Sequence, residues 1–388
     1  MAKNLKEKLI IFLLVLIPVL FFVFSFFWID YGLFLMLADS HPFFNHFQWL
    51  VSYRDAHRVL LANVYLLLII ILFVIQIFLL FAKKLKFLST KNLFLTALFS
   101  SLVFSFAYPF LSKDLFTYLF SAKMIWTYHA NPFVVPPMNF LSTDLWAGLA
   151  HNIEFPYAYG PVSLIYSLIP MVLFSGRRFI LNFLGYKLLN AAVFYLTGVL
   201  FYRLTDKDKR IFSFWFFNPL LLVELLMNAH NDLLMIGLFV VALYYLYKGG
   251  KLKAWLAFIA SVLTKYFSAI ALPIMFLGKK NKPLSFKILS LGSIILLLVQ
   301  KMRYLQIWYY TWLYMFLPLA KLKIKSWLLI DLIGLLLLTH YYSFVKWGFW
   351  GATPLIPYAK WLFFLFLFLI ICIELDLPKK LFKFRYEK

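Results

Sequence analysis

The chain has 388 residues, of which 64% are hydrophobic and 21% aromatic, while only 14% carry a charge. Together with a mean hydropathy of +0.87, this composition excludes an ordinary water-soluble domain and indicates an integral membrane protein. The formal charge of +23 does not indicate nucleic-acid binding, because Lys and Arg lie mainly in short connectors between apolar runs, as in cytoplasmic loops. A single cysteine, Cys372, excludes a disulfide framework within the chain.

The apolar runs predict the fold class. Runs of about 17–25 residues, enough to cross a bilayer, recur from one end of the chain to the other and do not alternate with polar residues. They predict an all-α, polytopic transmembrane helical bundle of about 11–13 membrane segments, some of them re-entrant or broken. The first run is too long for a signal peptide and lacks a small-residue cleavage site, so we expect an uncleaved first span. No repeat, linker or soluble domain is visible, which predicts one transmembrane domain over 1–388.

The distribution of charge predicts the orientation in a plasma membrane. Lysines precede the first span, and 26 of the 38 Lys and Arg residues fall in termini or connectors assigned to the cytoplasm. Both termini are therefore expected inside, with external loops at 29–58 and 340–357, and a central external loop at 112–161 that carries an amphipathic helix. The predicted spans lie at about 10–28, 59–82, 93–111, 179–201, 211–227, 233–247, 285–300, 304–320, 326–341 and 358–375, with broken or re-entrant segments at 161–176 and 254–277.

The segment 112–161 combines ionisable residues, which are rare in this chain, with aromatics and prolines. Asn131-Pro132 and Tyr159-Gly160-Pro161 mark fixed turns, because proline removes an amide donor and glycine permits unusual backbone angles. We interpret the segment as the active-site loop of a membrane enzyme. Its ionisable residues are Asp114, Lys123, His129, Asp144, His151 and Glu154.

Asp114 is the candidate catalytic residue. It follows the third predicted span and is followed by Tyr118 at helical spacing. A carboxylate at the membrane surface can take a proton from an acceptor hydroxyl, and partial burial is expected to raise its pKa toward that role. The alternative is a helix cap in the sequence Ser112-Lys113-Asp114.

Polar residues between apolar runs supply further candidates. His230-Asn231-Asp232 interrupts two runs and is expected to face a cavity, the alternative being an ordinary capped turn. Lys265 and Glu224 are intramembrane ionisable residues. Lys265 is suited to neutralise a phosphate at the leaflet boundary, unless it only extends its side chain toward water.

Two further groups have weaker signals. Arg177 and Arg178 are suited to bind the same anion as Lys265, or they serve only to fix topology. The run that begins with Trp308 and Tyr309 offers a stacking surface for a sugar or a groove for an isoprenoid tail, and is equally typical of an aromatic belt at the membrane interface.

Seven short motifs occur in one order over about residues 100–320. They are Asp114-x-x-x-Tyr118, Asn131-Pro132-Phe133, Tyr159-Gly160-Pro161, Asn218-Pro219, His230-Asn231-Asp232, Thr264-Lys265 and Trp308-Tyr309-x-x-Trp312-x-x-x-x-Leu317-Pro318. Together they resemble the polyprenol-phosphate-mannose-dependent mannosyltransferases of the integral-membrane GT-C superfamily. The resemblance implies a sugar donor on a polyprenyl phosphate and a base or acceptor-positioning role for Asp114, with donor-side or structural roles for His230, Asp232 and Lys265. Asp30, Asp39 and Asp55 remain rival catalytic acids, because such acids often follow the first span in that superfamily.

The resulting hypothesis is a glycosyltransferase that transfers a hexose, with mannose expected, from a polyprenyl phosphate to a lipid or cell-envelope glycan. The reaction is expected at the external membrane face, where the protein is surrounded by membrane lipids. A divalent cation, Mg or Mn, shared by Asp114 and Asp232 with Glu154 or Asp144 is compatible with the residue types, but no spacing requires one. A transporter or flippase of lipid-linked sugars or other anions, and a scaffold without chemistry, are the alternatives. The expected substrate-binding residues are Tyr118, Asn131, Tyr159, Arg177, Arg178, His230, Asn231, Asp232, Lys265, Trp308 and Tyr309.

Overall fold

A computed structural model of the protein describes residues 2–33, 46–81, 89–176, 178–280, 283–299, 306–348 and 355–376. Helices make up its regular secondary structure, and these ranges contain no strand, which confirms the predicted all-α class. The longer α-helices are α1 (Ala2–Ser25), α2 (Trp49–Ala56), α3 (Arg58–Phe81), α4 (Thr90–Phe106), α5 (Asp114–Tyr128), α6 (Pro161–Leu173), α7 (Phe179–Leu204), α8 (Lys209–Phe216), α9 (Asp232–Lys248), α10 (Lys251–Val262), α11 (Leu272–Leu277), α12 (Pro283–Val299), α13 (Ile324–Trp347) and α14 (Leu355–Glu374).

The helices that are long and apolar enough to cross a membrane number four in the described residues, and five if one bent pair counts as a span. The four are Glu7–Trp28, Arg58–Phe81, Phe179–Leu204 and Ile324–Trp347. The bent pair consists of α8 and Pro219–Met227, which meet at 41°. Other apolar runs among the described residues form helices of only 10–17 residues, too short to cross a bilayer at about 1.5 Å per residue. The structure is compatible with the predicted polytopic bundle, in which some membrane segments are broken or re-entrant.

A buried polar cluster joins the bend after α8 to two spans. Asn218 accepts a hydrogen bond from the Leu221 amide at 3.2 Å, so it caps the turn that Pro219 begins. The Asn218 side-chain amide and the Gln76 side-chain amide also donate to Asp331 Oδ1, at 3.2 and 2.9 Å. Because an unpaired carboxylate is costly in an apolar interior, these donors hold α3, α13 and the bend together.

The predictions for two segments near the C-terminus were wrong. The span expected at 304–320 consists, from residue 306 onward, of 3₁₀-helical segments Ile307–Met315 and Leu317–Leu319. Pro318 cannot donate to a helical ladder, and aromatic side chains crowd the run. The loop expected at 340–357 begins as the last two turns of α13, since no helix breaker precedes Gly348, which ends the helix at φ +78°. Residues 349–354 lie outside the described residues.

Both segments predicted to be broken are short helices. α6 has 13 residues, a length of about 20 Å at 1.5 Å per residue, whereas the hydrocarbon core is about 30 Å thick. The run 254–277 is interrupted between the end of α10 and the 3₁₀ segment Tyr266–Ala271, as the position of Thr264-Lys265 predicted. This break lies directly against the start of α6.

Backbone contacts join the two breaks. The Gly160 amide donates to the Thr264 carbonyl at 3.1 Å, and the Val162 amide donates to the Leu263 carbonyl at 3.2 Å. A Cβ atom at Gly160 would lie 1.9 Å from the Leu263 carbonyl oxygen. Only glycine therefore permits this approach, which brings Tyr159 next to Lys265.

We expect Gly160→Ala to lower the free energy of unfolding by about 1–3 kcal/mol, because backbone must move to admit the methyl group. Gly148→Ala is the matched control in the same loop, since its Cβ would meet no atom closer than 3.8 Å. Thermal unfolding of both variants in detergent measures the difference. Equal melting temperatures for the two variants would show that the close approach is not needed.

Candidate functional site

Asp114 begins α5 and lies at the centre of a buried cluster. Its Oδ2 accepts hydrogen bonds from the hydroxyls of Tyr118 at 3.2 Å and Tyr159 at 2.8 Å. Tyr118 lies one helical turn away on α5, as its spacing predicted, whereas Tyr159 comes from the turn before α6. The Asp114 side chain is 10% exposed, so the cluster leaves a small part of this side chain open to solvent.

His230 connects Asp114 to a second carboxylate. Its Nδ1 lies 3.4 Å from Asp114 Oδ2, and its Nε2 lies 3.3 Å from Glu224 Oε2. The imidazole stacks on the indole of Trp308, with ring centroids 4.4 Å apart and planes at 22°. Ala229 adopts φ +58°, and this left-handed residue turns the chain between Glu224 and His230. A fully buried imidazole between two carboxylates is held as the charged form.

The ionisation of this cluster differs from the expectation for Asp114. Burial raises its pKa, but the contact with His230 and the hydrogen bond from Tyr159 outweigh burial and lower the pKa to about 2. Burial lowers the pKa of His230, whereas Asp114 and Glu224 raise it to about 9. Burial and the charge of Asp114 raise the pKa of Tyr159 well above its usual range. Asp114 is therefore an ionised carboxylate at neutral pH, and the expected upward shift was wrong.

We expect the activity of the protein to be constant between about pH 5 and 8 and to fall as the pH rises through about 9, where His230 loses its proton. The same shift affects stability. Because the folded protein binds this proton more tightly than the unfolded chain, the contribution of His230 is complete below its ordinary pKa of about 6.5 and is lost through about 9. A pH profile of initial rates measures the effect, with circular dichroism at each pH as the folding control. A His230→Gln variant that kept the same alkaline limb would contradict the assignment.

The second half of the site is an ion pair between Lys265 and Asp232. Lys265 Nζ lies 2.8 and 2.7 Å from the two carboxylate oxygens of Asp232. Asp232, which is wholly buried at the start of α9, also accepts a hydrogen bond from the Trp312 indole. The Lys265 side chain is 12% exposed. The ammonium therefore compensates a buried carboxylate.

The Tyr159 ring joins the two halves. Its hydroxyl donates to Asp114, and Lys265 Nζ lies 5.1 Å from its ring centroid. Tyr309 and Trp312 face the same ammonium at 6.0 and 5.7 Å. The prediction that Lys265 lies beside the central loop is confirmed. A carboxylate and a cation, both partly accessible, thus contact one aromatic side chain.

Other predicted binding residues have different positions. Asn131 is exposed, and its side chain accepts the Phe133 amide at 3.0 Å, which makes it a turn residue. Asn231 donates to Ser163 at 2.8 Å and so ties the His230 segment to α6. Arg178 is exposed before α7 and forms no ion pair within the described ranges. Arg177 lies outside the described residues.

The other carboxylates of the loop, and the rival acids, belong to separate contacts. Asp144 pairs with Lys123 at 2.6 Å and accepts the Tyr128 hydroxyl at 2.9 Å, so it fastens the loop to α5. Glu154 is exposed. Asp30 accepts the Tyr108 hydroxyl at 2.8 Å, Asp55 pairs with two arginines, and Asp39 lies outside the described residues. In the part of the chain that the structure describes, no three His, Cys, Asp or Glu side chains are grouped to hold a metal ion.

Lys187 was not predicted from the sequence, but it binds backbone carbonyls close to the site. It is wholly buried in the middle of α7. Its ammonium donates to the carbonyl of Ala107 at 3.0 Å and to those of Leu226, at 3.2 Å, and Met227. The last two carbonyls end the π-helical segment Leu222–Met227, directly before the turn that carries His230. A lysine inside a 26-residue apolar helix is itself a signal of such a role.

Comparison with known protein families gives one match. The sequence profile described as Alpha-(1->6)-mannopyranosyltransferase, N-terminal domain (the MptA_B family) matches residues 32–278. That range includes every motif of the resemblance except the run that begins at Trp308. Searches of curated proteins and of solved structures gave no match. Since the match covers well over half of the chain, the predicted relation to mannosyltransferases is confirmed, and the chain belongs to the alpha-(1->6)-mannopyranosyltransferase family.

Proposed function

We propose that the protein is a GT-C-type enzyme that transfers mannose from a polyprenyl phosphate to a hydroxyl of a lipid or cell-envelope glycan. The observation that carries this proposal is the contact of Asp114 and Lys265 with the same Tyr159 side chain. Transfer from a sugar phosphate needs an acceptor for the hydroxyl proton and a cation for the phosphate that leaves. Both groups lie here within one cluster, and each side chain is partly exposed, at 10% for Asp114 and 12% for Lys265.

Asp114 acts as the base in this mechanism. Tyr118, Tyr159 and His230 fix its carboxylate in one orientation, and its lowered pKa keeps it in the proton-accepting form. The acceptor oxygen attacks the anomeric carbon and its proton passes to Asp114, while the bond from that carbon to the phosphate oxygen breaks. The phosphate leaves with the bonding electrons, so a single displacement inverts the anomeric configuration.

Lys265 binds the departing phosphate. Its ammonium has three donors, of which two point to the oxygens of Asp232, which leaves one for a phosphate oxygen. Tyr309, Trp312 and Trp308 form an aromatic wall beside it, suited to the sugar face or to the first isoprene units. Arg178, which is exposed before α7, is a candidate second cation only if it moves toward this wall when the donor binds.

The topology belongs to the same proposal. We place one transmembrane domain, 1–388, in the plasma membrane with both termini in the cytoplasm, and the loops 29–58 and 112–161 outside. The excess of Lys and Arg in the opposite connectors supports this orientation. The cluster around Asp114 then faces the external surface, where a lipid-linked donor and a glycan acceptor meet without a soluble nucleotide sugar.

Purified full-length protein in lipid vesicles, supplied with radiolabelled polyprenyl-phosphate mannose and a lipid-glycan extract, tests the proposal. We expect labelled product with this donor and none with a nucleotide-activated mannose. The family description makes an α-(1→6) linkage the first to assay. Transfer from the glucosyl or arabinosyl donor alone would overturn the sugar assignment. Movement of intact donor between leaflets without product would indicate a carrier instead.

A further inference from the structure

A large cavity lies where several spans end. The Asp114 cluster lies near the opposite ends of these spans. The cavity has a volume of about 1880 Å³, and it is open to solvent. Leu80 near the end of α3, Arg203 at the end of α7 and Ile324 at the start of α13 line it. Because three helices that are long and apolar enough to cross a membrane end here, the cavity lies at a membrane boundary, the level of lipid headgroups.

The cavity has an apolar floor and a basic rim. Leu80, Phe286 and Trp327 are buried in its floor. The rim contains six basic side chains against two acidic ones, Asp206 and Asp208. The basic ones are Arg203, Lys207, Lys209, Arg210, Lys248 and Lys321.

Much of this positive charge has no carboxylate partner. Arg210 pairs with Asp208 at 2.9 Å, but Arg203, Lys207, Lys248 and Lys321 form no ion pair within the described ranges. Arg203 and Lys248 lie in the last turns of their helices, where they also match the helix dipole. Lys207 and Lys321 lie in no helix, so this dipole does not account for them.

The backbone that carries these two lysines is unusual. Lys207 has φ +61° and Lys321 has φ +48°, the left-handed region that side chains other than glycine and asparagine rarely adopt. At Lys207 this conformation belongs to the cap of α7, because the Lys207 amide donates to the Tyr202 carbonyl at 2.8 Å. Both lysines are exposed on the rim of the same cavity.

We propose that this cavity binds the phosphate headgroup of an anionic lipid, with an acyl chain on the apolar floor. Unpaired cations above buried apolar side chains, at a membrane boundary, match an anionic phospholipid in both charge and polarity. The site is separate from the Asp114 cluster, and its identification does not depend on the proposed transfer reaction. The proposed orientation places it at the cytoplasmic leaflet.

Native mass spectrometry of the full-length protein with phosphatidylglycerol, and with phosphatidylcholine as the neutral lipid, measures this binding. We expect Lys207→Gln/Lys321→Gln to weaken phosphatidylglycerol binding by about fivefold for each lysine removed, without affecting phosphatidylcholine. The matched control is Lys251→Gln/Lys253→Gln, which removes the same charge from exposed positions in the first turn of α10, outside the cavity. The control is expected to bind within twofold of wild type.

A photoactivatable phosphatidylglycerol gives a second measurement that does not depend on variants. Crosslinks in peptides that contain 203–211 or 318–327 support the site. Equal loss of binding in both double variants, or crosslinks confined to other peptides, would overturn it. Displacement of the lipid by millimolar inorganic phosphate would show that the cavity takes a free phosphate, and would overturn the lipid assignment.

Discussion

Asp114→Asn is expected to lower the rate of mannosyl transfer by about 10²–10⁴-fold, the range for loss of a positioned general base. Asparagine retains an oxygen for the Tyr118 and Tyr159 hydroxyls, so the cluster is expected to stay folded. It cannot take the proton of the acceptor hydroxyl. Initial rates with saturating donor and acceptor measure the loss, and donor binding is expected to stay within a few-fold of wild type.

Asp30→Asn is the matched control. Asp30 also accepts a tyrosine hydroxyl, at 2.8 Å from Tyr108, and lies near a lysine, with Lys113 at 3.5 Å. It is one of the rival acids that the sequence left open. We expect transfer by this variant to stay close to the wild-type rate. If Asp30→Asn lost transfer and Asp114→Asn kept it, the roles of the two carboxylates would have to be exchanged.

Lys265→Met is expected to impair both folding and transfer. Methionine removes the cation beside Asp232, which is wholly buried and keeps a hydrogen bond from the Trp312 indole. An uncompensated buried carboxylate costs about 3–5 kcal/mol of stability. The departing phosphate also loses its cation, which we expect to lower transfer by about 10²-fold or more. Thermal unfolding in detergent and transfer rates measure the two effects separately.

The double variant Lys265→Met/Asp232→Asn separates folding from chemistry. Asparagine removes the unpaired charge and still accepts the Trp312 hydrogen bond, so most of the lost stability should return. Transfer should remain low, because no ammonium is left for the phosphate. Recovery of transfer together with stability would show that Lys265 only compensates Asp232. Lys265→Arg keeps the charge and is expected to retain stability.

Local patterns in the sequence predicted part of this site. The spacing of Asp114 and Tyr118 placed them on one helix face, and the polar Thr264-Lys265 step predicted the break after α10. Both predictions depend on residues close in the chain, where helical periodicity and the position of polar groups suffice. The rarity of ionisable residues in an apolar chain marked His230 and Asp232 in the same way.

The sequence did not predict contacts between residues that lie far apart in the chain. Nothing in the local pattern indicated that His230 contacts both Asp114 and Glu224, or that Asp144 binds Lys123. These contacts determine ionisation, so the direction of the Asp114 pKa was predicted wrongly from burial alone. The 3₁₀ segment Ile307–Met315 was missed for a related reason, because an apolar run does not by itself specify an α-helix.

A single-turnover experiment tests the central assignment most directly. Labelled polyprenyl-phosphate mannose is bound to the full-length protein in vesicles before the acceptor is added, and the label is followed from donor to product. This design separates the bond-forming step from donor binding. We predict that the wild type converts the bound label, whereas Asp114→Asn binds the same amount and holds it as donor when the wild-type reaction is complete. Conversion by Asp114→Asn at the wild-type rate would contradict the assignment of Asp114 as the base.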